Sequence, residues 1–286
     1  MTQTDTNAIK QQQRKDWGDA APAWRKTYDR FRETTAPVTN RMLELAGIGP
    51  GMRVLDIACG SGEPAIPAAL LVGPSGSVLA TDMAPEMLAV ARDNSVARGV
   101  TNIEFRLVDG EEIDVEPGSF DAVTCRWGIM FMPEPVRCLA QARAALKPGG
   151  RVVVATWGPP PRNPFLALPM MIARKYYQGP PLPDATAPGG VFSFADPARL
   201  AAAFKDAGFQ DPRTEEMELP ISIFDSGRDF WEYCREFIGP LRRILDGMPA
   251  DIQETIGREV AEAAPQGDPS GKVSLTGNPL LASATK

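Results

Sequence analysis

The stretch "RVLDIACGSGEPAIPAALLV", residues 53–72, joins three kinds of sequence in a fixed order. The apolar run 53–58 is typical of a buried strand, residues 60–62 (Gly-Ser-Gly) predict a tight loop, and the alanine-rich run 64–72 is typical of a helix. In an open parallel sheet, ligands bind where a strand ends and the next helix begins. The stretch therefore predicts a strand, a loop and a helix that together bind a nucleotide-type cofactor.

The same alternation of strand and helix continues as far as Trp157. Further apolar runs predict four more strands and two helices between them. The strands are 77–82, 103–109, 120–127 and 151–157, and the helices are 84–99 and 134–150. Strands joined by helices of this length lie parallel, because each crossover returns the chain to the same edge of the sheet. We therefore predict an α/β fold, a Rossmann-like doubly wound sheet that is mostly parallel.

The segments around this core differ from it in composition. Residues 8–33 place apolar side chains at helical spacing and predict one or two amphipathic helices, and Pro- and Gly-rich stretches follow Trp157. Residues 195–209 and 228–264 predict helices, and 211–221 predicts one strand. We expect one domain in five parts, which are a helical N-terminal cap (1–40), a cofactor-binding core (41–157), two inserted lid segments (158–194 and 228–270) and a final strand (271–286).

Composition and charge limit the classes of function. A net charge of −6 and a pI near 5.0 over 286 residues argue against a nucleic-acid surface, which usually needs a basic stripe. No apolar run approaches the ~20 residues of a membrane-spanning helix, and residues 1–19 lack the apolar region of a signal peptide, so we expect no membrane insertion and a cytoplasmic location. The four cysteines are dispersed and there is no histidine, which disfavours a metal site and excludes histidine-dependent triads.

Acidic side chains at the ends of the predicted strands distinguish between nucleotide cofactors. Asp56 precedes the glycine loop, Asp82 ends the next strand 20 residues after Gly62, and Asp109 and Glu111 follow the third strand. A carboxylate beside a pyrophosphate would be repelled, at a cost of roughly several kcal/mol in a partly buried site. S-adenosylmethionine carries an ammonium and a sulfonium but no phosphate, and its carboxylate can use the N-terminus of the first helix. A tight turn without a ligand is the alternative explanation of the glycines.

Five motifs in order resemble those of the class I S-adenosylmethionine-dependent methyltransferases. They are "VLDIACGSG", "ATDMAPEML", "VDGEE", "FDAVTCRWGIMFMPEP" and "LKPGGRVVVATW". The resemblance covers residues 40–160 and is closest to the small-molecule branch that includes the ubiquinone/menaquinone C-methyltransferases. It implies S-adenosylmethionine as cofactor and methyl transfer to a small, largely apolar or aromatic acceptor, with C- or O-methylation favoured. Ala58 departs from the pattern, since many members carry the first glycine of the loop there, although alanine also occurs in this branch.

The resemblance also implies which residues bind the cofactor. Asp56 and the loop backbone would face the methionine part, and Asp82 would accept hydrogen bonds from both ribose hydroxyls. Asp109 would accept from the adenine amino group, and methionines would pack on the adenine ring. Four further residues would contact the cofactor through their backbone, namely Gly110, Glu111, Cys125 and Arg126. The full implied set is Asp56, Ala58, Gly60, Gly62, Asp82, Met83, Met87, Asp109, Gly110, Glu111, Cys125 and Arg126. Tyr28 is added to it as a residue of the helical cover over 8–33 that would reach the cofactor.

Several of these residues also have a purely structural explanation. Asp109 can cap a turn, and Met83 and Met87 can be ordinary core residues. Tyr28 can pack in the cap without reaching the cofactor. Cys125 is better explained as a small packing residue than as a nucleophile.

Aromatic and apolar side chains after the fourth strand and in the lid segments predict the acceptor site. The residues named for it are Trp127, Met130, Tyr176, Tyr177, Phe192 and Trp231. For any one of them, packing in the core or lid is the simpler explanation. Together they favour an apolar or aromatic small molecule as the acceptor. We expect no nucleic-acid partner and a monomeric or homodimeric enzyme.

No catalytic residue is predicted. A sulfonium methyl donor is already activated, so the protein mainly has to align the acceptor and exclude water. A base is needed only when the acceptor must lose a proton whose pKa lies well above the working pH. Because histidine is absent, a base would have to be Asp, Glu, Tyr, Lys or Cys, and we expect an acceptor that is acidic or already nucleophilic.

Two other classes of function compete with methyl transfer. An NAD(P)-dependent oxidoreductase is disfavoured by Asp56 and by the lack of both histidine and a Tyr-x-x-x-Lys pair. A non-enzymatic S-adenosylmethionine-binding protein, or a non-methylating relative, would have the same cofactor site. DNA base methylation is disfavoured, because no N-P-P-[YF] or Pro-Cys element follows the fourth strand.

Overall fold

The described part of the chain, residues 3–265 and 272–286 of a computed structural model, contains strands of two separate sheets. The strands are β1 (Arg53–Ile57), β2 (Ser77–Asp82), β3 (Ile103–Leu107), β4 (Phe120–Arg126), β5 (Leu146–Trp157), β6 (Gln210–Glu216), β7 (Leu219–Phe224), β8 (Val273–Gly277) and β9 (Pro279–Thr285). Seven strands form one sheet in the order β3-β2-β1-β4-β5-β9-β6, and β7 and β8 pair as an antiparallel ribbon.

Helices cover both faces and one edge of the large sheet. They are α1 (Gln3–Ala46), α2 (Ala65–Val72), α3 (Pro85–Ala97), α4 (Pro135–Ala145), α5 (Pro164–Arg174), α6 (Pro197–Asp206), α7 (Gly227–Phe237), α8 (Gly239–Asp246) and α9 (Ala250–Ala263). Short 3₁₀ turns occur at Ile129–Phe131 and Pro160–Arg162.

The first five strands of the large sheet lie parallel, and β9 runs antiparallel between β5 and β6. All residues of β1 except Arg53 are buried, as expected for a central strand covered on both faces. The chain crosses to one side of β1 for β2 and β3 and returns to its other side for β4. The fold prediction is confirmed, and the reversal of strand order places a ligand crevice outside the carboxyl ends of β1 and β4.

The N-terminal segment is one helix of 44 residues, although two shorter helices were possible and Pro22 and Pro37 lie inside it. An internal proline costs a helix roughly 3 kcal/mol. Side chains at positions 17, 24, 31 and 38 recur every seventh residue and therefore share one face of the helix. On this face Trp17 packs on Phe131 and Phe31 packs on Trp127, both after β4, and such packing stabilises a helix that contains two prolines.

The structure corrects three predicted boundaries. The helix predicted over 134–150 ends at Ala145, because Gly149 and Gly150 exchange backbone hydrogen bonds with Lys286 and so extend β5. The single strand predicted over 211–221 is two strands, β6 and β7, in different sheets. The final strand predicted over 271–286 is also two strands, β8 and β9, and residue 271 lies outside the described residues.

Two asparagines explain the breaks between these strands. The side-chain oxygen of Asn163 accepts the backbone N–H of Asn278 at 2.8 Å, and the Asn278 side chain donates to the carbonyl of Met217 at 2.8 Å. The chain passes from one sheet to the other between β6 and β7 and again between β8 and β9. At these two points the side-chain hydrogen bonds replace backbone hydrogen bonds of the sheet. The two predicted lid segments contain α5 and the helices α7 to α9, and residues 266–270 of the second lie outside the described residues.

Candidate active site

The glycine loop after β1 forms the floor of the crevice. Ala58, Gly60 and Gly62 have positive φ angles of 56°, 55° and 105°. A side chain at Gly128, after β4, would place its Cβ 2.5 Å from the Cβ of Ala58, so the two loops are in close contact. The left-handed φ of Ala58 explains why glycine is common at this position, since a residue with a Cβ pays about 1–2 kcal/mol there.

Asp82 ties this loop to the start of α3. Its two carboxylate oxygens accept the backbone N–H groups of Gly60 and Ala84, each at 2.9 Å. Burial raises the pKa of Asp82, and these hydrogen bonds oppose the shift. Each oxygen keeps a further lone pair, so the carboxylate can also accept hydroxyl groups of a ligand.

Asp56 lies inside the sheet and is fully buried. One of its oxygens accepts the Thr124 hydroxyl at 2.7 Å, and the other, Oδ2, is buried without a partner. Burial raises the pKa of Asp56 to about 7, while the Thr124 hydrogen bond and the charge of Arg126 oppose the shift. A half-satisfied buried carboxylate beside the loop favours a neighbouring positive charge.

Glu63 is a buried acid of the loop that the sequence analysis did not include. Its carboxylate accepts the hydroxyl of Tyr28 at 3.0 Å, which joins the glycine loop to the middle of α1. Burial raises the pKa of both groups. The sequence carries one signal by which Glu63 could have been found, since it is an acid directly after the second glycine of the loop and directly before Pro64.

The N-terminal half of α1 covers the side of the crevice at β2 and β3. Ala21 packs on Ala84, Met87 and Val90, and Trp17 and Trp24 pack on the same cluster. Asp82 is 8 % exposed and Met87 is 2 % exposed under this cover, whereas Met83 is half-buried. The structure thus brings together the residues predicted around the ribose and adenine, with α1 above them.

Lys10 of α1 reaches the two acids that follow β3. Its ammonium lies 2.7 Å from Asp109 and 2.5 Å from Glu111. Asp109 also accepts the backbone N–H of Glu111, and Glu111 accepts the backbone N–H of Glu134. Burial disfavours the charge of Lys10, but hydrogen bonds to both acids raise its pKa. The acids therefore already hold an N–H donor where the sequence analysis expects the adenine amino group.

Cys125 and Arg126 lie at the end of β4, and both are predicted to act through their backbone. Their side chains have different surroundings. Burial raises the pKa of the Cys125 thiol to about 12, which fits packing and not nucleophilic chemistry. Arg126 is 7 % exposed, and its Nη1 donates to the hydroxyls of Thr35 at 3.0 Å and Thr39 at 2.8 Å. These two threonines of α1 could not be predicted as partners of Arg126, because they lie far from β4 along the chain.

The six residues predicted for the acceptor site fall into two groups. Trp127 stacks on Trp157 at 4.4 Å, and the carbonyl of Met130 accepts the hydroxyl of Ser193, next to Phe192. In the second group, Trp231 and Tyr176 contact α9, whereas Tyr177 contacts the turn that follows it in the chain. Trp231 packs on Gly257, Tyr176 donates to Glu259, and Tyr177 lies against Gly179.

A cluster of aromatic rings joins α1 and α7 to the end of β4. Phe31 lies 5.0 Å from Trp24, 5.4 Å from Phe237 and 5.6 Å from Trp127, measured between ring centroids. Tyr233 stacks on Phe237 at 4.7 Å. Within the described residues, Trp24 Nε1, Trp127 Nε1 and the Tyr233 hydroxyl are buried without hydrogen-bond partners. Flat apolar walls with free donors suit a planar molecule that carries oxygen atoms.

The donor set of the crevice fits S-adenosylmethionine. Three buried carboxylates, Asp56, Glu63 and Asp82, surround a loop whose backbone is open to a ligand, and one of their oxygens has no partner. This arrangement favours a ligand with positive charge and no phosphate. A cleft of about 440 Å³ between α1 and α7–α8 is lined by other residues, such as Lys26 and Arg242, and lies away from the strand ends.

Two negative findings apply to the described residues only. In residues 3–265 and 272–286, no three His, Cys, Asp or Glu side chains are grouped so that they could hold a metal ion. No helix of the same ranges is both long enough and apolar enough to cross a membrane.

Comparisons with known proteins agree with this geometry. A family model described as a methyltransferase domain matches residues 48–167. Nocamycin O-methyltransferase of Saccharothrix syringae is 33% identical over 192 residues, which cover 64% of this chain and 69% of that protein. The ubiquinone/menaquinone biosynthesis C-methyltransferase UbiE of Ectopseudomonas mendocina is 39% identical over 126 residues, which cover 44% of this chain and 49% of that protein, so the match spans about half of this relative's length.

Solved structures show the same fold at lower identity. Phosphoethanolamine N-methyltransferase 2 of Haemonchus contortus, in complex with S-adenosyl-L-methionine, superposes with a TM-score of 0.55 and 18% identity over 92% of this chain and 57% of that chain. The order of strands, the glycine loop with its acids and the similarity to nocamycin O-methyltransferase lead to one assignment. The chain belongs to the class I S-adenosylmethionine-dependent methyltransferases, and its cofactor is S-adenosylmethionine.

Proposed function

We propose that the protein transfers a methyl group to a small, largely apolar or aromatic acceptor, with C- or O-methylation favoured. The observation that carries this proposal is the aromatic cluster around Phe31, which lies against Arg126 and Trp127 at the end of β4. That end adjoins the glycine loop, since Gly128 contacts Ala58. The relatives nocamycin O-methyltransferase and the C-methyltransferase UbiE support both types of acceptor atom.

The cofactor, when bound, supplies a methyl group on a positively charged sulfur. Asp82 would accept the ribose hydroxyls, and Asp109 would accept the adenine amino group in place of the Lys10 ammonium that it now contacts. Met83 and Met87 would flank the adenine ring. The buried acids Asp56 and Glu63 would lie beside the positively charged methionine part, where their charge stabilises it.

The N-terminal half of α1 serves as a cover in this proposal. Asp82 and Met87 are almost fully buried beneath it, so a nucleoside can reach them only if this half of α1 moves. Return of α1 over the ligand would exclude water from the reacting atoms. The segments 158–194 and 228–270 would complete the cover on the acceptor side, since α7 carries Tyr233 and Phe237 of the aromatic cluster.

The chain's own groups favour catalysis by alignment. Burial raises the pKa of Cys125 to about 12 and raises that of Tyr233 well above its usual range, so neither is a base near neutral pH. Asp56 has a pKa of about 7, but it is fully buried within the sheet. An acceptor that is already ionised or nucleophilic needs no base, and its correct placement alone lowers the barrier by many kcal/mol, up to roughly 7–11.

The direct test is to incubate the protein with methyl-labelled S-adenosylmethionine and a panel of phenols, quinols and aromatic carboxylates. We expect mass spectrometry to show one added labelled methyl group on a planar aromatic acceptor. Calorimetry with S-adenosylhomocysteine and with NADH is the control for cofactor choice. Binding of S-adenosylhomocysteine without methylation of any acceptor would favour a non-methylating relative, and tight NADH binding alone would contradict the proposal.

A further inference from the structure

Arg126 is a buried cation with no carboxylate in contact with it. Its side chain is 7 % exposed at the end of β4. Among the described residues, Arg126 forms no ion pair, and its hydrogen-bond partners are two neutral hydroxyls, those of Thr35 and Thr39. Buried charges in proteins are normally paired, because an unpaired one loses its hydration without compensation.

Several donors of this guanidinium are also unused. A guanidinium has five N–H groups, and Nη1 supplies both bonds to the threonines. Both side-chain hydrogen bonds of Arg126 to described residues thus come from Nη1, which leaves Nη2 and Nε available to a ligand. Two acids influence the charge of Arg126, Glu63 and Asp56, but neither approaches to ion-pair distance, and Glu63 is hydrogen-bonded to Tyr28.

Aromatic rings flank the guanidinium. The carbon at its centre lies 4.9 Å from the centroid of Trp127 and 5.6 Å from that of Phe31. Both rings belong to the aromatic cluster, and Trp127 Nε1 is buried without a partner. Arg126 thus combines unused N–H donors and a positive charge with two flanking aromatic rings, which are the groups that a planar aromatic anion would contact.

We propose that the Arg126 side chain binds an ionised oxygen of the methyl acceptor, in a carboxylate, phenolate or enolate. The inference rests on the proposed methyl transfer and specifies its acceptor as an aromatic anion. An ionised acceptor has already lost its proton, and its own electron pair forms the new bond to the methyl carbon. The electron pair of the broken carbon–sulfur bond stays on sulfur, so the step needs no base.

The cofactor's methionine carboxylate has the same chemistry as this ligand. The aromatic walls favour the acceptor as the source of the anion, because Phe31 and Trp127 would otherwise face an aliphatic amino acid. The experiment must therefore separate binding of the cofactor from binding of an aromatic anion.

The test compares 2-naphthoate with its uncharged analogue 2-naphthamide by calorimetry, in the presence of saturating S-adenosylhomocysteine. We expect the wild-type protein to bind the anion about tenfold more tightly than the amide, and Arg126→Met to lose this preference. The affinity for S-adenosylhomocysteine should change less than the affinity for naphthoate, because Arg126 is expected to meet the cofactor only through its backbone, which the variant keeps. Arg92→Met is the matched control, since Arg92 also packs on an aromatic ring, that of Phe105, but on α3.

Each other outcome contradicts the proposal in a distinct way. If Arg126→Met weakens S-adenosylhomocysteine and keeps the preference for naphthoate, Arg126 binds the cofactor's carboxylate. Equal binding of naphthoate and naphthamide to the wild-type protein would show that no anion site exists. Absence of S-adenosylhomocysteine binding to the wild-type protein would contradict the proposed function itself. Should Arg126→Met not fold, Arg126→Gln keeps N–H donors without the charge, and the same loss of preference is expected.

Discussion

The hydroxyl of Tyr28 in α1 donates a hydrogen bond of 3.0 Å to the buried carboxylate of Glu63 in the glycine loop. This bond connects the cover helix to the backbone that is expected to meet the cofactor. Glu63 is only 5 % exposed, so water offers its carboxylate few other hydrogen bonds. The position of α1 and the charge state of the loop are therefore coupled.

Tyr28→Phe tests this coupling. The variant removes the hydroxyl but keeps the ring, and it leaves a buried carboxylate without its partner, which should lower the free energy of unfolding by about 1–3 kcal/mol. Because the lost hydrogen bond favours the ionised form of Glu63, the pKa of Glu63 should rise further. Urea unfolding at several pH values is the measurement. Equal stability of variant and wild type near neutral pH would show that the bond contributes nothing.

Lys10→Met should loosen the N-terminal half of α1. The variant removes both ion pairs to Asp109 and Glu111. Amide hydrogen exchange in the first turns of α1 should become faster, and association of S-adenosylhomocysteine should also become faster, because the cover opens more often. Lys15→Met is the control, since Lys15 pairs with Asp19 on the same helix. An unchanged association rate in Lys10→Met would contradict a gating role for α1.

Asp82→Ala should weaken cofactor binding. Loss of a buried, charged acceptor of the ribose hydroxyls should reduce the affinity for S-adenosylhomocysteine by about 1–3 kcal/mol in calorimetry. Asp82 also accepts the N–H groups of Gly60 and Ala84, so the melting temperature must be measured alongside. Asp82→Asn keeps the shape of the side chain and one acceptor oxygen but removes the charge, so it should lose less affinity than Asp82→Ala. An unchanged affinity in a folded alanine variant would exclude Asp82 as the ribose ligand.

Asp56→Asn should flatten the dependence of stability on pH. Burial raises the pKa of Asp56 from 3.8 to about 7, so the folded state binds its proton more tightly than the unfolded state does. The stability that this proton supplies is complete below about pH 4 and is lost as the pH rises towards 7. The variant should therefore lose less stability than the wild type between pH 4 and pH 7, on the order of a few kcal/mol.

A matched control for Asp56→Asn is Asp121→Asn. Burial of Asp121 is outweighed by the N–H of Arg53 and the ammonium of Lys147, which lower its pKa. Its contribution is present above its usual pKa and is lost as the pH falls, so this variant should change the profile below pH 4. A flattened slope between pH 4 and pH 7 in both variants would show that a general loss of charge is responsible.

The maximal rate should follow the ionisation of the acceptor. The sequence contains no histidine, and burial holds Cys125 and Tyr233 protonated near neutral pH, so none of these supplies a base there. Rates measured with acceptors of different pKa should therefore rise at different pH values, each near the acceptor's own pKa. One fixed pKa near 7 for every acceptor, abolished by a carboxylate or tyrosine substitution that preserves cofactor binding, would contradict this mechanism and identify the base.

Local pattern was enough to predict the sheet core and two of the three buried acids around the glycine loop, Asp56 and Asp82, but not Glu63. The order of apolar runs, glycine loop and helices from 53 to 157 reports on backbone preferences that act between near neighbours. Asp82 and Asp109 could be named because each follows a strand, and the carboxyl ends of parallel strands meet at one edge. The charge of these residues then distinguished between cofactors without knowledge of side-chain contacts.

Contacts between distant parts of the chain were decided by the tertiary structure. Lys10 meets Asp109, Thr35 and Thr39 meet Arg126, and Asn163 meets Asn278, in each case across many tens of residues. No periodicity in the sequence reports such pairs, because they depend on how α1 crosses the strand ends and where β8 and β9 leave one sheet for another. The sequence by itself determined the fold and the cofactor chemistry, whereas only the packing of α1 over the strands decided how the site is covered and which hydroxyls bind Arg126.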